Sequence, residues 1–173
     1  MPEKILELEN GWRKIFARHI SVLFIFFILT CILTFPVILD FNTESAGIGC
    51  HDKCHMMWRM WWADYSFENN LDFWHTNHIF YPDGTQISGN LALFTTGLGI
   101  LLLKLTDITT TWNIIWISGF IFGGYTTYLL ANNFNRNFYS SIIAGIVFTF
   151  STYHLVHSEN HIGISMIALK PLY

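Results

Sequence analysis

The amino-acid sequence predicts an all-α membrane protein with about four transmembrane helices and an interfacial aromatic helix in the first outer loop. Of its 173 residues, 52% are hydrophobic and only 12% are charged, whereas about 25% of the residues in soluble domains are charged. Uncharged runs long enough to cross a bilayer recur along the chain. The net charge of −3 and the small size of its basic group indicate no nucleic-acid partner.

The first forty residues predict a surface helix followed by a membrane span. In residues 1–19, apolar side chains recur at helical spacing, which favours an amphipathic helix whose basic side chains face membrane lipid headgroups. Residues 20–39 carry no charge, and such a run reaches across a hydrocarbon core of about 30 Å. The basic residues before this span place the N-terminus in the cytoplasm and residues 40–87 outside the cell membrane.

Three further spans are predicted at residues 88–105, 112–131 and 139–156, joined by short polar segments. Strict alternation of these spans across the membrane would place Lys104 inside and Arg136 outside. The second placement runs against the tendency of basic residues to stay on the cytoplasmic side.

The last residues, 157–173, begin polar and turn apolar. This pattern indicates the start of a further membrane segment. We therefore expect residues 1–173 to form a single membrane domain at the N-terminus of a longer multi-pass protein.

The first outer loop contains a run of aromatic residues with helical periodicity. Trp58, Trp61, Trp62 and Tyr65 occupy positions i, i+3, i+4 and i+7, which is one face of a helix. Tryptophan and tyrosine favour the boundary between membrane and water. The face is therefore either a structural anchor on the outer interface or a wall that contacts a lipid-linked ligand.

Asp52 precedes this aromatic run and is a candidate catalytic residue. A carboxylate held near the membrane surface can accept a proton from an incoming hydroxyl group, or hold a divalent cation that neutralises phosphate. A loop aspartate is also a common helix cap. Asp83, in the segment FYPDG, reads instead as part of a turn.

A frame of cysteines and histidines surrounds Asp52 and allows three interpretations. Cys50, His51, Cys54 and His55 could bind zinc or copper through thiolate and imidazole. The two cysteines could form a disulfide, which is favoured outside the cytoplasm. The run also approaches the C-x-x-C-H pattern of covalent haem attachment, with one residue too many.

Three histidines end the last predicted span. His154, His157 and His161 are separated by three and four residues, so imidazoles on one helical face could bind a metal or a phosphate. Strict alternation of four spans would return this cluster to the cytoplasm, away from Asp52. A re-entrant or miscounted span would instead bring the two together.

Taken together, these segments resemble a known family of membrane enzymes. A span ending in FPVILD is followed by Gly49 and Asp52, then WRMWW, then IFYPDGTQI, then glycine-bearing spans, and finally FTFSTYHLVHSENHIGISMIALKPL. The order is similar to the N-terminal part of polytopic membrane glycosyltransferases of the GT-C type, especially the YfhO-like branch. The resemblance extends from about residue 20 onward.

The resemblance implies a function and a site. Such enzymes take a sugar from a lipid-phosphate donor, here a polyprenyl-phosphate sugar, at the outer membrane face. It implies that Asp52 serves as the catalytic base or metal ligand. Substrate would be bound by the side chains of Trp58, Trp61, Trp62, His157 and His161. It also implies that the 173-residue chain is inactive without the remainder of the enzyme.

A second hypothesis comes from a different class of protein. The chain could be a small membrane protein that binds a metal or haem through Cys50, His51, Cys54 and His55. This hypothesis needs free cysteines, whereas the glycosyltransferase hypothesis needs Asp52.

Overall fold

The computed structural model describes residues 2–87 and 93–172, and it describes the side chains of residues 11–87, 94–166 and 169–172. The described chain is mostly helical, with one short antiparallel hairpin of β1 (His75–Thr76) and β2 (Thr85–Gln86). Its helices are α1 (Pro2–Leu33), α2 (His51–Glu68), α3 (Leu93–Leu103), α4 (Ile108–Asn135), α5 (Phe138–Thr149), α6 (Thr152–Ser158), α7 (Ile162–Ser165) and a final 3₁₀ helix, α8 (Met166–Leu172).

Two of the described helices are long and apolar enough to cross a membrane. They are Gly11–Leu33 within α1 and Ile108–Asn135, which is α4. Helices α5 and α6 would together provide a third span if they count as one segment, with a bend of 44° between them. The structure is therefore that of a helical protein fit for membrane association, with two or three candidate spans.

The predicted second span, residues 88–105, is not confirmed. Residues 88–92 lie outside the described residues, and α3 has 11 residues. A helix of that length covers about 16 Å, roughly half of a hydrocarbon core. Lys104, at the end of α3, pairs with Asp64 and Glu68 of α2, with both N–O distances at 2.5 Å.

The N-terminal segment differs from the sequence-based expectation. The predicted surface helix 1–19 and span 20–39 form one continuous helix, α1, which ends at Leu33. Pro36 follows soon after this end, and proline disfavours helical backbone in itself and in the residue before it. Residues 34–39 therefore leave the span and begin the loop.

Helices α1, α4 and α5 pack around a phenylalanine and two glycines. Phe26 is fully buried with Val22 and Tyr128, and a methyl group at Gly124 would collide with its ring. At Gly145 a Cβ atom would lie 2.5 Å from Phe26 Cζ and 2.7 Å from the Gly124 carbonyl oxygen. Small residues at these positions let the helices approach closely, as in membrane helix bundles generally.

The helices define two ends of the molecule, here called the loop end and the basic end. At the loop end, the start of α4 contacts the segment after α1, because Asn113 Nδ2 donates to the Phe41 carbonyl oxygen at 2.8 Å. At the basic end, Arg18 of α1 donates to Asn132 of α4 at 2.8 Å. Helix α4 therefore runs antiparallel to α1.

The placement expected from strict alternation is corrected by this arrangement. The Arg136 backbone N–H donates to Asn132 at the basic end, so Arg136 lies on the side of α1 that carries Arg18. Lys104 lies at the loop end with α2. Strict alternation had put each of these residues at the opposite end, because it counted α3 as a full crossing.

Candidate functional site at the loop end

Helix α2 presents the aromatic face that the sequence predicts. The rings of Trp58, Trp61, Trp62 and Tyr65 are neighbours, with centroid distances from 5.1 to 6.4 Å. Trp62 is buried, and its Nε1 donates to the Phe73 carbonyl oxygen at 3.2 Å. Trp61 is 38% exposed. The face therefore combines an anchored ring with a ring that is open to a ligand or to lipid.

A histidine that the sequence did not single out joins this face. His78, in the hairpin tip, lies with its ring centroid 5.1 Å from Trp62 and 5.4 Å from Tyr65. Its ring meets Trp61 edge-on at 6.2 Å. The sequence shows only a polar residue at this position. Its contact with α2 depends on how the β1–β2 hairpin folds back onto that helix.

Asp52 lies in the first turn of α2, and its side chain is 62% exposed. Its Oδ2 atom is 3.7 Å from His161 Nε2. The residue does not cap the helix, since Cys50 holds the N-cap position without a side-chain bond. A carboxylate in the first turn is favoured by the helix dipole. The structure thus brings Asp52 and His161 together at the loop end.

The three histidines of the predicted cluster have separate roles. His154 is buried against Phe120, and its Nδ1–H donates to the Thr149 carbonyl oxygen at 2.6 Å. His157 stacks on Tyr153 with a centroid distance of 4.3 Å and donates to the carbonyl oxygen of the same residue. These contacts make His154 and His157 local packing residues, and His161 the member that faces Asp52.

A buried asparagine fixes the loop that leads to Asp52. Residues 41–47, here called the anchored loop, contact Asn113 of α4, which is fully buried. The Ala46 N–H donates to Asn113 Oδ1 at 2.7 Å, and Asn113 Nδ2 donates to the Phe41 and Glu44 carbonyl oxygens, both at 2.8 Å. One side chain therefore satisfies three backbone groups of the anchored loop.

Lys53 holds the same loop from the side of α2. It is only 5% exposed, and its Nζ donates to the carbonyl oxygens of Ser45 and Gly47 at 3.2 and 2.9 Å. Burial lowers the pKa of Lys53, while the carboxylates of Glu159 and Glu44 oppose that shift by favouring the charged form. Lys53 is therefore a structural clamp next to Asp52.

The lack of a side chain at Gly47 allows the connection between α6 and α7 to contact the anchored loop. Its φ is +96°, and a Cβ atom there would lie 2.6 Å from the Glu159 carbonyl oxygen. Only glycine allows the connection between α6 and α7 to pack this closely on the anchored loop. This contact brings His161, two residues after Glu159, next to Asp52.

In the structure, the cysteine–histidine frame around Asp52 takes the disulfide form. Cys50 and Cys54 form a disulfide, so neither sulfur remains as a thiolate ligand or for attachment of haem. Within residues 2–87 and 93–172, His, Cys, Asp and Glu side chains form no group of three or more that could hold a metal ion. His51 and His55 are exposed on α2. The disulfide interpretation is the one that the structure supports.

A cleft of about 620 Å³ lies elsewhere on α2 and does not include Asp52. Its floor is formed by Ala63 and Ser66, and Ile100 of α3 contributes to its walls. These floor residues are more than ten positions further along α2 than Asp52, which corresponds to about 17–21 Å along a helix. The Asp52–His161 pair therefore lies outside this cleft, with its side chains 62% and 43% exposed.

Sequence reasoning missed the residues that build this site. Asn113, Lys53 and Gly47 were not singled out as candidates, although an asparagine in an apolar run is a signal for a buried polar contact. No protein-family model, curated protein or solved structure matches the chain. The functional argument therefore depends on the residues and their geometry.

Proposed function

We propose that the chain is the N-terminal part of a multi-pass membrane glycosyltransferase that uses a polyprenyl-phosphate sugar at the loop end. The observation that carries this proposal is the pairing of Asp52 with His161, at 3.7 Å. The two residues come from segments separated along the chain by the β1–β2 hairpin and the four helices α3 to α6. A carboxylate and an imidazole in reach of one another on an open surface are suited to proton transfer.

Asp52 would act as the general base. It would accept the proton of an acceptor hydroxyl while the hydroxyl oxygen attacks the anomeric carbon of the donor sugar. The bond from the anomeric carbon to the phosphate oxygen breaks, and the polyprenyl phosphate leaves with that electron pair. His161, next to Asp52, would contact the leaving phosphate.

The aromatic face of α2 would provide the second part of the site. Trp58, Trp61 and Trp62 lie on the same helix as Asp52, one or more turns beyond it. The indole rings of Trp58 and Trp61 offer apolar faces on which a sugar or an isoprenoid chain can pack, and the buried Trp62 would support them. A site in which the reacting carboxylate and the apolar wall share one helix suits a substrate with a polar head and a lipid tail.

The proposed orientation places the loop end outside the cell and the N-terminus in the cytoplasm. Two observations support it. The Cys50–Cys54 disulfide belongs to the loop end, and disulfides persist in oxidising compartments outside the cytoplasm. Arg136 and Arg18 both lie at the basic end. Basic residues favour the cytoplasmic side of a membrane, so the basic end would face the cytoplasm.

The test uses the full polypeptide that the gene encodes, in membrane vesicles supplied with radiolabelled polyprenyl-phosphate sugars. Asp52→Asn should lower sugar transfer by about 10²- to 10⁴-fold, the usual contribution of a general base. Asp83→Asn, an exposed aspartate in the same outer loop, is the matched control and should retain wild-type transfer. Full activity of Asp52→Asn would refute the assignment of Asp52, and absence of transfer from every donor would refute the enzyme class.

A further inference from the structure

The basic end contains an arginine that is held in place by neutral groups. Arg18 Nε donates to the Tyr128 hydroxyl at 2.7 Å, and its Nη2 donates to Asn132 Oδ1 at 2.8 Å. The guanidinium carbon lies 5.4 Å from the ring centroid of Phe138 and 5.8 Å from that of Tyr128. These contacts fix the plane of the guanidinium, and within the described part of the chain they occupy two of its five N–H donors.

Lys14 and Arg136 also lie at the basic end. Lys14 precedes Arg18 by one helical turn, so both side chains lie on one face of α1. Arg136 is the C-cap of α4, one turn after Asn132. Among the side chains that the structure describes, neither Lys14, Arg18 nor Arg136 forms an ion pair.

The carboxylates nearest to this cluster in the sequence are Glu3, Glu7 and Glu9, in the first ten residues of the chain. Residues 11–39 and 108–158 contain no aspartate or glutamate, although they contain four basic residues. One of the four, Arg13, has Glu9 four positions before it on the same helix, a spacing at which opposite charges attract. Lys14, Arg18 and Arg136 are therefore the cations that an external anion would neutralise.

Exposed aromatic side chains mark the level of the membrane surface at the basic end. Trp12, Phe16, Phe134 and Tyr139 are each at least 69% exposed. Such residues concentrate where headgroups meet the hydrocarbon core. We therefore expect the three cations to lie at the depth of lipid phosphates.

We propose that Lys14, Arg18 and Arg136 bind the phosphate of an anionic phospholipid in the leaflet at the basic end. A planar guanidinium with free N–H donors matches phosphate oxygens in a bidentate arrangement. Tyr128 and Asn132 fix the direction of the Arg18 guanidinium. Lys14 and Arg136 add electrostatic attraction that does not depend on a fixed geometry. This site is separate from Asp52 and does not depend on the glycosyltransferase proposal.

The experiment measures lipid binding to the purified protein in a zwitterionic detergent, by thermophoresis. The probes are short-chain phosphatidylglycerol, short-chain phosphatidylcholine and inorganic phosphate. We expect phosphatidylglycerol to bind more tightly than the other two. Equal binding of phosphatidylcholine would overturn the requirement for an anionic lipid, and equal binding of inorganic phosphate would overturn the lipid as the source of the phosphate.

Charge-matched variants separate a built site from diffuse attraction. Arg136→Gln should weaken phosphatidylglycerol binding about fivefold, the usual effect of one cation near an anionic lipid, and it removes none of the side-chain contacts that hold Arg18. Arg13→Gln removes the same charge from the same end and should bind like the wild type. Equal weakening by both variants would overturn the site.

Arg18→Lys adds a test of the guanidinium itself. The variant keeps the positive charge but loses the planar fork, so binding of phosphatidylglycerol should weaken although the net charge is unchanged. Wild-type binding by Arg18→Lys would overturn the bidentate geometry.

Discussion

The two ends of the helix bundle are stabilised by different kinds of interaction. At the loop end, Asn113 and Lys53 satisfy buried backbone groups of the anchored loop, and Gly47 allows direct backbone contact with Glu159. At the basic end, Arg18 contacts Tyr128 and Asn132 through hydrogen bonds that are partly open to solvent. The loop end is therefore fixed by burial, whereas the basic end is fixed by an exposed cation.

This difference determines what each end leaves free for a ligand. The loop-end network uses neutral amides and one clamped lysine, so the Asp52 carboxylate stays exposed beside His161. The basic end uses neutral partners for Arg18, so its positive charge stays uncompensated within the described side chains. The Asp52 carboxylate takes no part in the loop-end network, whereas Arg18 makes the structural contacts at the basic end and still presents an uncompensated charge.

The largest expected difference between the two ends concerns their asparagines. Asn113→Ala would leave the Ala46 N–H and the Phe41 and Glu44 carbonyl groups without their partner. We expect the free energy of unfolding in detergent to fall by about 3 kcal/mol, since each unsatisfied buried group costs roughly 1–3 kcal/mol and part of that is recovered by water. Chemical unfolding followed by tryptophan fluorescence measures this loss.

The matched variant is Asn132→Ala, which removes an exposed hydrogen bond to Arg18 at the other end. It should cost less than about 1 kcal/mol, because water replaces the lost partner. Similar losses for both variants would show that burial does not distinguish the two ends.

A glycine pair tests the backbone contact at the loop end. Gly47→Ala forces an alanine into a φ of +96° and places its Cβ atom 2.6 Å from the Glu159 carbonyl oxygen. We expect a loss of about 2 kcal/mol in the free energy of unfolding, in line with other strained backbone positions. Hydrogen exchange should also become faster in the segment that contains His161, because its contact with the anchored loop is displaced.

The control for this prediction is Gly97→Ala in α3, where a Cβ atom meets nothing within 4 Å. Alanine is the better helix former by about 1 kcal/mol, so this variant should be neutral or stabilising. If Gly47→Ala behaved like Gly97→Ala, the close approach of Glu159 would not hold His161 in place.

The sequence predicted the helices well and the connections between them poorly. Periodicity and apolar length identified α4 and the aromatic face of α2, because both patterns arise within one helix. The count of four spans was not confirmed, since the described part of α3 is apolar yet short and ends beside α2 at the loop end. Local hydropathy contains no information on whether an apolar helix crosses the bilayer or turns back.

The candidate site was predicted only in part for the same reason. Asp52 was identified from its place in the outer loop, but its neighbour His161 depends on which ends of α1, α4 and α6 meet. In the sequence, Asn113 is only a polar residue near the start of a predicted span. Its three bonds to the anchored loop are contacts across 67 to 72 positions, which no local pattern encodes.

The smallest expected effect contrasts the helix caps at the two ends. At the loop end, Asp107 caps α4 and accepts bonds from the Thr110 hydroxyl and from the Thr109 and Thr110 N–H groups. These bonds, led by that of the Thr110 hydroxyl, lower the pKa of Asp107 below its ordinary value of 3.8. Its contribution to stability is therefore complete above pH 3.8 and is lost as the pH falls through the lowered pKa.

At the basic end, an uncharged residue caps α5, since Asn137 accepts a bond from the Ser140 N–H at 3.1 Å. At neutral pH, Asp107→Ala and Asn137→Ala should each cost about 1 kcal/mol. On acidification below pH 3.8 the cost of Asp107→Ala should shrink, whereas the cost of Asn137→Ala should stay constant because an amide does not titrate in this range. Unfolding curves of both variants against the wild type at neutral and acidic pH measure the two costs. A constant cost for Asp107→Ala would mean that the carboxylate charge contributes nothing to the cap at the loop end.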